Sequence, residues 1–371
     1  MLVRLLEARG FRNLRDAVIE PAERVTLIHG PNGAGKTNLL EALAFGLTGV
    51  SWRTRADREL IGFEDDLARA EVTVADGVES RVFRATVTRG EGRRHRLDGN
   101  PVPSEATALR PAVAVFSPDR LTLVKGPPSE RRRHLDSLVA ALWPGRAEAR
   151  RRFGRALAQR NALVSRIRSG AASEQALAAW DSEFAGEAVA LVESRAAAIE
   201  RAAPAFTSLA ASLGLGDAAA ISYRPRTGLA DAEEIVEQLR ERRAGDLERG
   251  HSTHGPHLDE VQIAVEGRAV RRFGSQGEQR MALLALLFAE REALMAAHRT
   301  PPLMLLDDVM SELDPDRRRL LVELLDGGGQ SVITATEPAQ VPEECRGGGA
   351  EVAIEGGRVT APAPAPSGIA A

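Results

Sequence analysis

The segment Gly30-Pro31-Asn32-Gly33-Ala34-Gly35-Lys36-Thr37 fits the pattern G-x-x-x-x-G-K-[ST], and no other stretch constrains the fold so tightly. Such a loop works only between a buried strand and a helix. Its backbone N–H groups must converge on phosphate oxygens, which glycine permits. The helix that follows must turn its N-terminus toward the same anion. The flanking sequence supplies both elements: Val25-Thr26-Leu27-Ile28 is an apolar run ending just before Gly30, and Leu39, Leu40, Leu43 and Leu47 recur at helical spacing beyond it. The pattern implies that Gly30 through Thr37 hold a nucleoside triphosphate, ATP in the simplest reading. Lys36 would bridge the outer phosphates as a catalytic cation, and Thr37 would offer its hydroxyl to Mg2+. Only Lys36 and Lys125 are lysines among 49 basic residues. In a chain that otherwise uses arginine, a retained lysine points to a need for a compact ammonium.

A second half of such a site lies near the other end of the chain. Pro302-Leu303-Met304-Leu305-Leu306 is an apolar run ending in Asp307-Asp308. Asp307 is placed to hold Mg2+, and Asp308 to orient or deprotonate the attacking water. Phe273-Gly274-Ser275-Gln276-Gly277-Glu278-Gln279-Arg280 opens a further helix, whose small residues leave backbone exposed at its start. This stretch resembles the signature of the ABC ATPase superfamily, in which the signature of one subunit contacts the γ-phosphate held by another. Ser275, Gln276, Gly277 and Glu278 are the nucleotide-binding candidates there. Met310-Ser311-Glu312-Leu313-Asp314 resembles the D-loop that follows. Thr336, in the strand from Val332, stands near the place where a switch histidine is often found. About 240 residues separate the phosphate loop from the signature, more than a simple P-loop kinase or GTPase has.

The segment between them has its own character. Residues 69–98 alternate, with Val72, Val74, Val78, Val82 and Val87 among charges, as in an antiparallel sheet. From about 128 to 212 the chain is rich in Ala, Arg and Glu, and Leu177, Trp180, Phe184, Ala188 and Leu191 step by three or four, as in short packed helical arms. The expected division is 1–125 and 216–360 for the two halves of an ATPase lobe, 126–215 for a helical lobe, and 361–371 for a disordered tail rich in Ala and Pro. Cys345 is the only cysteine, no run reaches the ~20 apolar residues of a membrane span, and Arg4, Glu7, Arg9 and Arg12 break any secretory pattern. A cytoplasmic protein without membrane contact is expected. The net charge of −3 confines any nucleic-acid contact to local patches. Arg131-Arg132-Arg133, Arg150-Arg151-Arg152, Arg271-Arg272 and Arg317-Arg318-Arg319 read either as solvated helix faces balanced by nearby carboxylates or as such patches.

Taken in order, these motifs resemble the RecF family of DNA recombination and repair ATPases, over residues 2 to about 345. The resemblance is carried by Gly10-Phe11-Arg12-Asn13-Leu14, by residues 32–43 with Ser51-Trp52-Arg53-Thr54, and by Phe116-Ser117-Pro118-Asp119 with Leu123-Val124-Lys125-Gly126 and Arg131 through Asp136. Gln159-Arg160-Asn161 and residues 306–314 complete it. One loop departs: Leu258 and Glu260 in Gly255-Pro256-His257-Leu258-Asp259-Glu260 stand where the family typically has arginine and aspartate. The resemblance implies an α/β fold, an ABC-type P-loop ATPase head with a mixed sheet, an antiparallel subdomain and an inserted helical lobe. It further implies weak ATP hydrolysis, an ATP-dependent homodimer, binding to duplex DNA and single-strand/double-strand junctions, and RecR, RecO and indirectly RecA as partners. By the same resemblance Arg12 and Asn13 face the nucleotide; read alone, they are equally a turn after the first strand. Lys125 is either a phosphate or DNA contact or an exposed loop lysine. The alternative is a small SMC-like chromosome clamp, against which stands the lack of room for long coiled coils. An ATPase-nuclease is disfavoured because about sixty residues follow Asp308, without a distinct acidic cluster.

Overall fold

A computed structural model describes residues 2–54, 56–77, 79–102, 111–298, 301–346 and 349–360. The tail expected from 361 lies outside the described residues. The strands are β1 (Leu2–Arg9), β2 (Ala17–Ile19), β3 (Val25–His29), β4 (Leu67–Asp76), β5 (Glu79–Thr88), β6 (Gly92–Leu97), β7 (Asn100–Pro101) and β8 (Val113–Phe116) in the first part of the chain. They are followed by β9 (Ala219–Arg224), β10 (Glu260–Val265), β11 (Arg268–Ala269), β12 (Leu303–Leu306), β13 (Ser331–Ala335), β14 (Ala350–Glu355) and β15 (Arg358–Thr360). Two compact units result, one from residues 1–120 and 294–371, the other from 121–293.

In the first unit β14, β3, β13, β12 and β8 run parallel side by side, and β15 closes one edge antiparallel. Every residue of β12 and β13 is buried, as a parallel sheet covered on both faces requires. A second sheet, β2-β1-β4-β5-β6-β7, is antiparallel throughout. The helix Lys36–Thr48 packs on β4 and β5, and a single apolar core takes residues from the helix and from both sheets. Its approach to β4 is close: a Cβ on Gly46 would lie 2.6 Å from Val72 Cγ2. The buried Gln330 side chain stitches the layers by accepting from the Val3 N–H (2.7 Å) and donating to the carbonyls of Val3 (2.9 Å) and Ala22 (2.8 Å).

The second unit holds the helices Pro128–Leu142, Ala149–Arg168 and Leu177–Ser212, together with the small sheet β11-β10-β9. The expected boundary at 215/216 falls inside it. Residues 216–293 group with the helices because β9 packs on Leu177–Ser212 and pairs with β10, not with a strand of the larger sheets.

Much of what holds this unit together is ionic and buried. Arg160 is fully enclosed and donates to Asp181 (2.8 Å), Asp246 (2.7 Å) and Ser252 (2.7 Å). Arg195 donates to Asp136 (2.7 Å) and Asp259 (3.0 Å), and Asp259 also accepts from Tyr223 and the Arg226 N–H. Desolvation is offset here by several hydrogen bonds to each charge.

His254 is buried beside this ionic framework, with Nε2 2.6 Å from Gln238 Oε1. Burial, reinforced by Arg242 and Arg226, lowers its pKa to about 4. The unfolded chain therefore binds a proton that the folded chain refuses between pH 6.5 and about 4. Stability carried by neutral His254 is complete above pH 6.5 and is lost as pH falls toward 4. Urea midpoints measured across that window should fall with pH in the parental chain and fall less steeply in His254→Gln.

Candidate nucleotide site

The phosphate loop leaves β3 at Gly30 and enters the helix Lys36–Thr48. Gly30 has φ of 155° and lies so close to β14 that a Cβ would sit 2.1 Å from the Ile354 carbonyl oxygen. Gly35 has φ of 115°, and a Cβ there would meet Asn13 Oδ1 at 3.0 Å. Only glycine fits both conformation and space. Lys36 folds back over the loop, and its Nζ donates to the carbonyls of Gly30 (2.7 Å) and Pro31 (3.1 Å). Burial lowers its pKa, while Asp308 and Asp307 pull the other way.

The two halves predicted from sequence meet at the carboxyl edge of the parallel sheet. Thr37 Oγ1 lies 2.9 Å from both carboxylate oxygens of Asp307, across 270 residues of chain. The sheet register explains the meeting. β12 ends at Leu306 between Phe116 of β8 and Ile333 of β13, and the Asp307 N–H donates to the Phe116 carbonyl at 2.8 Å. Asp307 is buried, which raises its pKa, and the hydroxyls of Thr334 and Thr37 counter that rise. Asp308 follows in a left-handed conformation, φ 50°. Its N–H donates to Thr334 Oγ1 (2.8 Å), and its Oδ1 is buried without a hydrogen-bond partner among the described residues. An all-oxygen donor set of this kind suits Mg2+, which takes one or two protein oxygens beside phosphate and water.

Other predicted residues have more local occupations. Arg12, at φ 52°, places its fork on the fully buried carboxylate of Glu41, with Nη2–Oε1 at 2.8 Å. Asn13 reaches the loop itself: its Nδ2 donates to the Gly33 carbonyl (3.1 Å), and its Oδ1 accepts from Asn38 (2.7 Å). Ser275 and Glu278 form a reciprocal cap on the helix Gln276–His298. The Ser275 N–H donates to Glu278 Oε2 (2.6 Å), and the Glu278 N–H to Ser275 Oγ (3.2 Å). Ser275, Gln276 and Gly277 are exposed there. Thr336 does not reach the acids; its N–H donates to Gln340 (3.1 Å). Thr334, two residues earlier, contacts both, donating to Asp307 Oδ1 at 2.8 Å. Lys125 is exposed at the end of the short helix Thr122–Lys125.

Sequence reasoning passed over Thr334 because a threonine in a β-branched strand carries no signal of its own. Ser117, one residue beyond β8, enters the sequence reading only as part of a family motif; its hydroxyl is buried and unpartnered among the described residues.

Residues 2–346 match the family model for the RecF/RecN/SMC N-terminal domain. A DNA replication and repair protein RecF from Heliobacterium modesticaldum is 36% identical, with 91% of this chain and 92% of the relative covered. One from Gloeobacter violaceus is 35% identical over 99% and 100%. The chain belongs to the RecF family. Among solved structures, the recombination mediator RecF-ATP of the RecFOR pathway superposes with a TM-score of 0.86 at 25% identity, covering 97% of both chains. An SMC head bound to the winged-helix domain of ScpA gives 0.57 at 17% identity, which extends the ABC-type head fold and no more. RecF membership accounts for the order of the motifs and for the aspartate pair after β12.

Thr334→Val keeps the side-chain shape but strands the Asp308 N–H and removes a donor from Asp307. A loss of about 1–3 kcal/mol in unfolding free energy is expected, with reduced ATP turnover. Thr334→Ser should stay near the parental chain in both. Urea denaturation and steady-state phosphate release measure the two effects.

Proposed function

We propose that this chain is an ATP-gated, DNA-binding homodimer of recombinational repair, acting at gaps or single-strand/double-strand junctions. The observation that carries this reading is the pairing of Thr37 with Asp307, which brings together within the first unit two residues suited to the phosphate and metal end of such a site. Ser275, Gln276 and Gly277 belong to the second unit and are exposed at the start of a helix. That division suits a site closed by a second copy.

In this reading Gly30 through Thr37 wrap the triphosphate, and Lys36 exchanges its two carbonyl partners for phosphate oxygens. Thr37 and Asp307 would hold Mg2+, which would supply charge neutralisation at the outer phosphates. Asp308 orients the attacking water through its unpartnered oxygen. An aspartate reaches one methylene less than a glutamate, which favours slow turnover. ATP binding draws two copies together by differential affinity for the closed form, and hydrolysis releases them.

RecR, RecO and, indirectly, RecA are the partners this reading carries, from the pathway named for the RecF-ATP structure and the family resemblance. Most arginines of the runs have a carboxylate or carbonyl partner in the single copy, whereas Arg272 is exposed with no ion pair among the described residues. Arg131 is buried on Glu260, Arg132 donates to the Asp259 carbonyl, and Arg150, Arg151 and Arg152 pair with Asp136, Glu148 and Glu187. Arg317 and Arg319 pair with Asp314 and Asp316. An SMC-like clamp is a poorer reading, since the longest described helix, Leu177–Ser212, has 36 residues.

Ser275→Arg should abolish ATP-dependent dimerisation in sedimentation experiments while ATP affinity stays near parental. Retained dimerisation would remove the second copy from the site. Lys36→Arg should weaken the same dimer, because a planar fork replaces a point charge. DNA affinity on duplex, single-stranded and junction substrates should rise with ATP and fall with salt.

A further inference from the structure

Lys125 is one of two lysines among 49 basic residues, and the nucleotide site leaves it without a role. It ends the short helix Thr122–Lys125, which packs against the short helix Val270–Phe273 within the second unit. Both helices are pinned where they stop. The Gly126 N–H donates to the Thr122 carbonyl (2.9 Å), and the Gly126 carbonyl accepts from Arg131 Nη1 (2.7 Å). The Gly274 N–H donates to the Val270 carbonyl (2.9 Å), and the Gly274 carbonyl accepts from Gln279 Nε2 (3.0 Å). A Cβ on Gly274 would lie 2.7 Å from the Val270 carbonyl oxygen, so only glycine lets the chain turn this closely. The backbones are fixed, while the side chains of Lys125, Arg271, Arg272 and Phe273 are exposed.

Positive charge is in excess here. Glu260 accepts from Arg131 (2.8 Å) and Arg271 (3.0 Å), so two guanidinium groups share one carboxylate. Glu130 is paired with Arg133, and Glu278 with the Ser275 N–H. Lys125 and Arg272 have no hydrogen bond or ion pair among the described residues. Phe273 adds a second character to these cations. It is 70% exposed and directly follows Arg271-Arg272. Phe63, the other strongly exposed phenylalanine among the described residues, is followed by Glu64-Asp65-Asp66, which would repel a phosphate chain. An open aromatic ring beside unpartnered cations is the chemistry of single-strand recognition, in which cations track phosphates and the ring stacks on an unpaired base. A duplex offers the phosphates but keeps its base faces stacked.

We propose that Lys125, Arg272 and Phe273 form a contact for single-stranded DNA, with Phe273 stacked on a base and the two cations on flanking phosphates. This rests on the DNA-binding reading above and assigns the single-strand side of a junction to these residues. The retained lysine fits that role, because a compact ammonium on a flexible stem can follow a mobile phosphate where a planar fork needs fixed geometry.

Fluorescence anisotropy of the full chain with labelled oligo-dT, a blunt duplex and a single-strand/double-strand junction, with and without ATP, tests this. Phe273→Ala should weaken oligo-dT binding about tenfold and duplex binding less than about twofold, so that the preference for junction over duplex falls. Phe273→Tyr should stay near the parental chain, because the ring is kept. Lys125→Gln combined with Arg272→Gln should lower the slope of log affinity against log salt on oligo-dT by about 0.7 for each cation removed. Melting temperature should stay parental in every variant, as should ATP-dependent dimerisation without DNA. Parental oligo-dT affinity of Phe273→Ala would overturn the proposal, as would equal losses on oligo-dT and duplex. Loss of the ATP-dependent dimer by Phe273→Ala without DNA would also overturn it and assign the ring to a second copy. If the parental chain bound none of the three DNAs, the DNA-binding reading would fall, and this contact with it.

Discussion

The contact between Thr37 and Asp307 fixes the rest of the first unit. A carboxylate and a hydroxyl separated by 270 residues meet at 2.9 Å only if β3, β13 and β12 lie in register as parallel neighbours. The burial of β12 and β13 on both faces secures that register, because a one-residue slip in either strand would turn its polar end away from the loop. The cost is a desolvated carboxylate. Thr334 and Thr37 offset it with two hydroxyl donors, and Arg53 adds a more distant positive charge. The site is therefore held by neutral donors close in and cations farther out. Asp307 thus carries no direct arginine pair among the described residues, and its closest partners are neutral hydroxyls.

The second unit solves a different problem with the same residue type. Arginine serves there as an internal strut: Arg160 ties Asp181, Asp246 and Ser252 together, and Arg195 ties Asp136 to Asp259. A planar fork with five donors can join three elements at once, which an ammonium cannot do with fixed geometry. Such hubs are fragile when one partner is removed, since an uncompensated buried charge remains. They also commit Arg160 and Arg195 to the interior, away from any DNA phosphate.

The nucleotide motifs were legible because their chemistry demands particular residues at particular spacings. Gly30, Gly35, Lys36 and Thr37 could be assigned from the pattern, and Asp307 and Asp308 from an apolar strand ending in acids. The parallel and antiparallel sheets followed from continuous and alternating apolar runs. What periodicity could not reach was long-range pairing of charge. Arg160 and Asn161 fitted a family motif without any hint that Arg160 is enclosed, or that Asn161 Oδ1 accepts from Ser252 at 2.7 Å. The loop around Leu258 and Glu260 was readable only as a departure. In the structure Leu258 is exposed, while Glu260 accepts from Arg131 and Arg271. The shift from Thr336 to Thr334 has a similar cause, since β13 ends at Ala335 and Thr336 already lies in the turn beyond it, where its N–H donates to Gln340.

The cap at Ser275 bears on the proposed closure of the site by a second copy. In the isolated chain the Glu278 carboxylate satisfies the Ser275 N–H, and Ser275 Oγ satisfies the Glu278 N–H. The cap thus satisfies two of the N–H groups at the helix start, while no acceptor among the described residues takes those of Gln276 and Gly277. A terminal phosphate brought by a second copy would have to displace a carboxylate that already sits at the positive end of the helix dipole. A doubly charged terminal phosphate competes for that position better than a neutral or singly charged group. Association governed by this exchange would depend on the terminal phosphate rather than on the apolar surface around it. That is the behaviour a nucleotide-gated dimer requires.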